Sequence, residues 1–121
     1  QLFFDEGHEY GVHKGLGILP GRVLGFDFDD KSLKIPQIGW NTVGFEQASP
    51  LMDNLDDGSY LYFNHGYYCK PDNPLHSLGC TEYGIEFTSI VNVNNVYGVQ
   101  FHLEKSQKVG LELLKNFVEK I

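Results

Sequence analysis

Val96-Tyr97-Gly98-Val99-Gln100-Phe101-His102-Leu103-Glu104-Lys105-Ser106 is where the chain changes its period, and that change decides the fold class. Up to His102 the pattern is that of a strand. From Glu104 to Ile121 it is that of a helix: Leu111, Leu114, Val118 and Ile121 fall on one stripe, Leu113 and Phe117 lie beside it, and Lys and Glu fill the rest. Upstream, Tyr83 to Val93 gives a second strand pattern, and Asn94-Asn95 between the two tolerates positive φ, which predicts a tight hairpin. The chain therefore reads as strands, then a hairpin, then one covering helix.

Further upstream the signals are more broken. Tyr67 to Gly79, with Pro71, Pro74 and the Asp72-Asn73 pair, predicts the longest irregular segment. Tyr60 to Phe63 predicts a short buried strand ending at His65-Gly66. Leu33 to Gly44, built around Pro36, predicts an edge strand or extended loop with irregular pairing. Arg22 to Phe26 predicts a strand, preceded by a loop or short edge from Gly15 to Gly21. Leu2, Phe3 and Phe4 beside Asp5, Glu6 and Glu9 predict the tail of a helix over residues 1–9.

The 121 residues suit one compact domain, 1–121, with no repeats and no low-complexity segment. Sixteen acidic against nine basic residues give a net charge of -7 with no Lys/Arg cluster, which excludes a phosphate-tracking surface. The apolar runs fall far short of the roughly 20 residues that span a bilayer, and no signal-peptide pattern is present, so a soluble, cytoplasmic protein is expected. Two cysteines, Cys69 and Cys80, do not make a disulfide scaffold.

Three constellations could carry chemistry. His102 and Glu104 are two apart at a strand end, so their side chains can meet, and a carboxylate that orients an imidazole makes it a better proton acceptor for a thiol. The competing reading is a capped helix start with a solvated histidine. His65, Cys69, His76 and Cys80 form two His-x3-Cys pairs that could hold zinc, although the aromatic surroundings favour ordinary packing. Trp40, in Gly39-Trp40-Asn41, is either a core tryptophan or an exposed anchor for a partner chain. Neither cysteine has the strand-to-helix elbow of an acyl-transfer nucleophile.

Taken together, Gly15-Leu16-Gly17-Ile18-Leu19-Pro20-Gly21-Arg22-Val23, Lys34-Ile35-Pro36-Gln37-Ile38-Gly39-Trp40-Asn41, Tyr62-Phe63-Asn64-His65-Gly66-Tyr67-Tyr68 and Gly98-Val99-Gln100-Phe101-His102-Leu103-Glu104-Lys105-Ser106 resemble the class I glutamine amidotransferases. Within them the likeness is to the glutaminase subunits of imidazole glycerol phosphate synthases. The resemblance implies a three-layer αβα domain with a mixed sheet, of which this chain is the C-terminal part, the half bearing the nucleophilic cysteine being absent from it. It implies glutamine hydrolysis with ammonia passed to a cyclase subunit in a heterodimer for histidine biosynthesis, with no cofactor and no metal. Alternatives are a paralogue feeding surface-sugar amidation and a non-catalytic binding module.

By the same resemblance His102 is the general base and Glu104 its orienting carboxylate. Gln1, Glu9 and the backbone of Gly66 and Tyr67 meet the L-glutamine substrate. Pro36, Ile38, Trp40, Tyr60, Tyr62 and Lys105 face the cyclase. The chain departs from the family's usual pattern at Leu103, Gln37 and Gly66, where proline, histidine and a hydroxyl residue are common.

Overall fold

The computed structural model describes residues 1–121, whose strands join in one nine-stranded sheet. Along the chain these are β1 (Phe4–Gly7), β2 (His13–Lys14), β3 (Leu19–Gly25), β4 (Gln37–Phe45), β5 (Ser59–His65), β6 (Tyr67–Pro71), β7 (Ser77–Tyr83), β8 (Ile85–Val93) and β9 (Val96–Val99), followed by helix α1 (Gln107–Lys120). Their order across the sheet is β2-β1-β3-β6-β8-β7-β4-β5, with β9 on β8. β1 and β3 run parallel while the other pairs are antiparallel, so the sheet is mixed, as an α/β domain of the expected class requires. The β8–β9 hairpin turns through Asn94 at φ 51, where asparagine tolerates the left-handed conformation.

β4 and β5 form the ribbon on which the site is built. Seven consecutive register pairs, from Gln37 with His65 to Val43 with Ser59, make the pairing regular, contrary to the irregular edge predicted there. Pro36 ends just before the strand and so removes no ladder bond. Alternation then sorts the side chains: Leu61, Phe63, Val43, Gln37 and His65 are buried, while Ile38, Trp40 and Tyr60 are exposed. Tyr60 to Phe63 is thus a two-faced edge strand rather than one buried on both sides. Phe63 packs edge-on to Phe101 and Phe87 at centroid distances of 5.7 and 6.2 Å, and each such buried ring contributes roughly 1.5–3 kcal/mol.

Two other predictions are corrected. Residues 1–9 hold no helix; Phe4 opens β1 and buries against Leu19 and Val23, and the gain from that cluster outweighs an isolated helical turn. Tyr67 to Gly79 is mostly ordered by β6, a 3-10 turn at Pro74–His76 and the start of β7, because its prolines fall at the end of one strand and at the turn itself.

α1 is present but rotated relative to the predicted stripe. Leu111, Leu114, Val118 and Ile121 are exposed, and the face turned to the protein carries Gly110, Leu113 and Asn116. Asn116 Nδ2 donates to the carbonyls of Leu51 and Asp53 at 2.9 and 2.7 Å, satisfying groups that the 3-10 turn Pro50–Met52 leaves open. At Gly110 a Cβ would lie 2.1 Å from the carbonyl oxygen of Leu103, so only glycine lets the helix descend onto the turn that follows His102.

Candidate active site

His102 follows β9 at a corner where the chain leaves the sheet. Its backbone N–H donates to the carbonyl of Tyr62 at 2.9 Å, and its carbonyl accepts from the Ser106 hydroxyl at 2.6 Å. The same hydroxyl oxygen accepts from the N–H of Tyr62 at 3.0 Å. Both backbone groups of Tyr62 therefore grip residue 102, one directly and one through Ser106, which is fully buried. A 3-10 turn at Leu103–Lys105 then brings Glu104 back beside the ring.

His102 Nδ1 lies 2.8 Å from Glu104 Oε1. The histidine occupies the position before the turn yet makes no side-chain cap, so the capped-helix alternative does not describe it. With Nδ1–H donating to the carboxylate, the basic lone pair resides on Nε2, the geometry needed to take a proton from an incoming thiol. The side chains are 39% and 66% exposed, which leaves the ring reachable from outside. Glu104's own backbone N–H, and then the His102 ring, hold its carboxyl below the usual carboxylate range, so it is ionised at neutral pH.

The other predicted residues divide into groups. Gln1 and Tyr67 meet: Gln1 Nε2 donates to the carbonyl of Tyr67 at 3.1 Å and to Oε1 of Gln100 at 2.9 Å, two residues before His102. Gln1 and Glu9 line an open pocket of 470 Å³ together with Glu6, Tyr10, His13 and Lys14. His102 and Glu104 are not among its lining residues. Gly66 joins β5 to β6, and its carbonyl accepts from Phe26 N–H at 3.3 Å. On the outer face of the ribbon Trp40 stands edge-on to Tyr62 at 5.9 Å, and Lys105 Nζ lies 5.5 Å from the Tyr62 ring centroid. Ile38, Tyr60 and Trp40 are 63%, 62% and 47% exposed there, and Pro36 is exposed beside them. Trp40 is thus a surface residue, not a core one.

The zinc alternative does not assemble. His65 is engaged by Gln37 and the Tyr67 carbonyl, Cys69 packs with Phe4 and Val23, and Cys80 bonds to Glu46; no group of three His, Cys, Asp or Glu side chains could hold a metal ion. Both cysteines sit within strands. Burial pushes the Cys69 thiol up, and burial together with Glu46 and Glu86 pushes Cys80 up to about 12, so neither offers a thiolate at neutral pH.

Residues 11–121 match the family described as Glutamine amidotransferase class-I. The chain belongs to that family. It is similar to the imidazole glycerol phosphate synthase subunit HisH of Chlorobaculum tepidum, 49% identical over 98% of this chain and 59% of the relative. The subunits of the same name from Sulfurimonas denitrificans and Methanocaldococcus jannaschii are each 44% identical over 98% of this chain and 58% and 59% of their own lengths. The chain thus spans rather more than half the length of the curated relatives it matches. No helix is long and apolar enough to cross a membrane.

In this amidotransferase chain, sequence reasoning passed over Ser106 and gave Gln37 and His65 no structural role. Ser106 precedes a helix, which suggests a cap, but its side chain makes none and ties His102 to Tyr62 instead. Gln37 and His65 are 28 residues apart, and only the β4–β5 register unites them.

Proposed function

We propose that this chain forms part of a glutaminase subunit in which His102 is the general base and Glu104 its orienting carboxylate, and that the ammonia released passes to a cyclase subunit of imidazole glycerol phosphate synthase. The observation that carries the reading is the 2.8 Å contact between His102 Nδ1 and Glu104 on a backbone clamped to β5. In this reading the nucleophile is, as the family resemblance implies, a cysteine from outside these 121 residues. His102 Nε2 takes the thiol proton; the thiolate attacks the side-chain carbonyl of glutamine; the proton passes to the leaving ammonia, and water then cleaves the glutamyl thioester with the same imidazole as base.

Gln1, Glu9 and the backbone of Gly66 and Tyr67 hold the amino-acid end of glutamine in this reading. The contact between Gln1 and Tyr67 and the pocket shared by Gln1 and Glu9 support it. Pro36, Ile38, Trp40, Tyr60, Tyr62 and Lys105 form the cyclase-facing surface of a heterodimer, supported by an apolar patch whose aromatic members are enriched at binding hot spots. A cytoplasmic setting, expected from the short apolar runs of the sequence, belongs to the same reading. The test is release of ammonia from glutamine by the full-length protein, with and without the cyclase subunit. Turnover that rises with the cyclase is expected; no ammonia under either condition refutes the activity. Trp40→Ala is expected to weaken cyclase binding at least about tenfold, and an unchanged Kd would remove Trp40 from the interface.

A further inference from the structure

Beneath the ribbon, on the face opposite Trp40, runs a line of polar side chains that the reaction does not use. Asn41 Nδ2 donates to Gln37 Oε1 at 2.7 Å, Gln37 Nε2 lies 2.8 Å from His65 Nε2, and His65 Nδ1 lies 2.7 Å from the carbonyl oxygen of Tyr67. Gln37 and His65 are 3% and 6% exposed, so water is not an alternative partner for either.

The direction of this chain is set from its outer end. The N–H of Thr42 donates to Asn41 Oδ1 at 2.7 Å, and Asn41 Nδ2 donates to the carbonyl of Glu82 at 2.8 Å. Both partners are backbone groups with only one polarity, so the Asn41 amide has one orientation. Its N–H therefore faces Gln37 and must meet the oxygen of that amide. The Gln37 N–H then faces His65, whose Nε2 must accept and carry no proton. The remaining proton of the neutral imidazole is on Nδ1, aimed at the carbonyl of Tyr67. Burial acts in the same direction by lowering the pKa of His65.

We propose that His65 is a positioning residue for the substrate: held in its Nδ1–H tautomer by Asn41 and Gln37, it fixes the Tyr67 carbonyl and thereby the Gly66-Tyr67 backbone that meets glutamine. This rests on the role given to Gly66 and Tyr67 above. A backbone contact to substrate has no side chain of its own to tune it, so its placement depends on what holds the peptide. Here two donors do, His65 Nδ1 and Gln1 Nε2, which occupy both lone pairs of the Tyr67 oxygen.

The test uses the full-length enzyme with its cyclase. Gln37→Leu and His65→Ala are expected to raise KM for glutamine about tenfold while kcat stays within about threefold, the size of one lost positioning hydrogen bond. His65→Asn, whose amide nitrogen can stand where Nδ1 does, is expected to recover most of that loss. A purely structural role would lower the active fraction without moving KM. Imidazole nitrogen NMR of the wild-type enzyme at neutral pH supplies a readout independent of turnover and of whether the variants fold. It is expected to place the single His65 proton on Nδ1. A proton on Nε2, or unchanged KM in folded Gln37→Leu and His65→Ala enzymes, overturns this inference alone. A wild-type enzyme that releases no ammonia overturns the glutaminase reading and this inference with it.

Discussion

His65 and His102 are each held through Nδ1, yet the two corners of the molecule that hold them do opposite things to the ring. Beneath the β4–β5 ribbon, His65 meets an amide and a carbonyl, is almost wholly buried, and is kept neutral. At the corner after β9, His102 meets a carboxylate at 2.8 Å in a half-exposed site, with its ring reachable from outside. One imidazole is closed between an amide and a carbonyl, and the other is left open to an incoming group. What separates them is the partner's charge and access to water, not the histidine.

The largest expected effect is at the mobile proton: His102→Ala in the full-length enzyme lowers glutaminase turnover at least about a hundredfold, and activity within a few-fold of wild type would erase the distinction between the two histidines. Next comes the clamp. Ser106→Ala leaves the half-buried Tyr62 N–H without its acceptor and is expected to cost about 1 kcal/mol in urea unfolding; a loss below about 0.3 kcal/mol would mean that the hydroxyl does not bear on the corner.

Glu104→Gln keeps a hydrogen-bonding group beside His102 but removes the charge, and about tenfold lower kcat is expected. An unaltered kcat would make the carboxylate dispensable. The smallest effect is at His65. In the unfolded chain its ring takes up a proton as the pH falls through its ordinary value of 6.5, but in the fold burial opposes this. The unfolded state then binds more protons, so this contribution to stability is complete above that value and is lost as the pH drops below it. Urea midpoints measured from pH 8 to 5 should fall in wild type and flatten in His65→Asn; parallel curves would show that His65 is not the group responsible.

The contrast also marks what could be read from the residues. His102 and Glu104 are two apart, and their meeting follows from local chain geometry. Gln37 meets His65 through strand register, and Tyr62 meets Ser106 across 44 residues. No local period announces either. The same division runs through the fold. The hairpin at Asn94 and the existence of α1 are short-range consequences of turn chemistry and of a helical period.

The side of α1 that faces inward is a different matter. Counting apolar residues selects Leu111, Leu114 and Val118, yet the buried face carries Asn116 beside Leu113, because carbonyls of Leu51 and Asp53 need a donor there. Likewise Leu2-Phe3-Phe4 has the look of a helical patch until β3 arrives to pair with Phe4 in parallel.

By itself, then, the amino-acid order determined the family likeness and, through it, the expected α/β class; the hairpin, the last helix and the His102–Glu104 pair it determined through neighbours along the chain. Tertiary structure alone decided the strand order, the inward face of the helix, the Ser106 clamp and the tautomer of His65. Each of these satisfies a buried polar group or an apolar surface with residues distant in sequence, and only the closed fold brings such partners within reach.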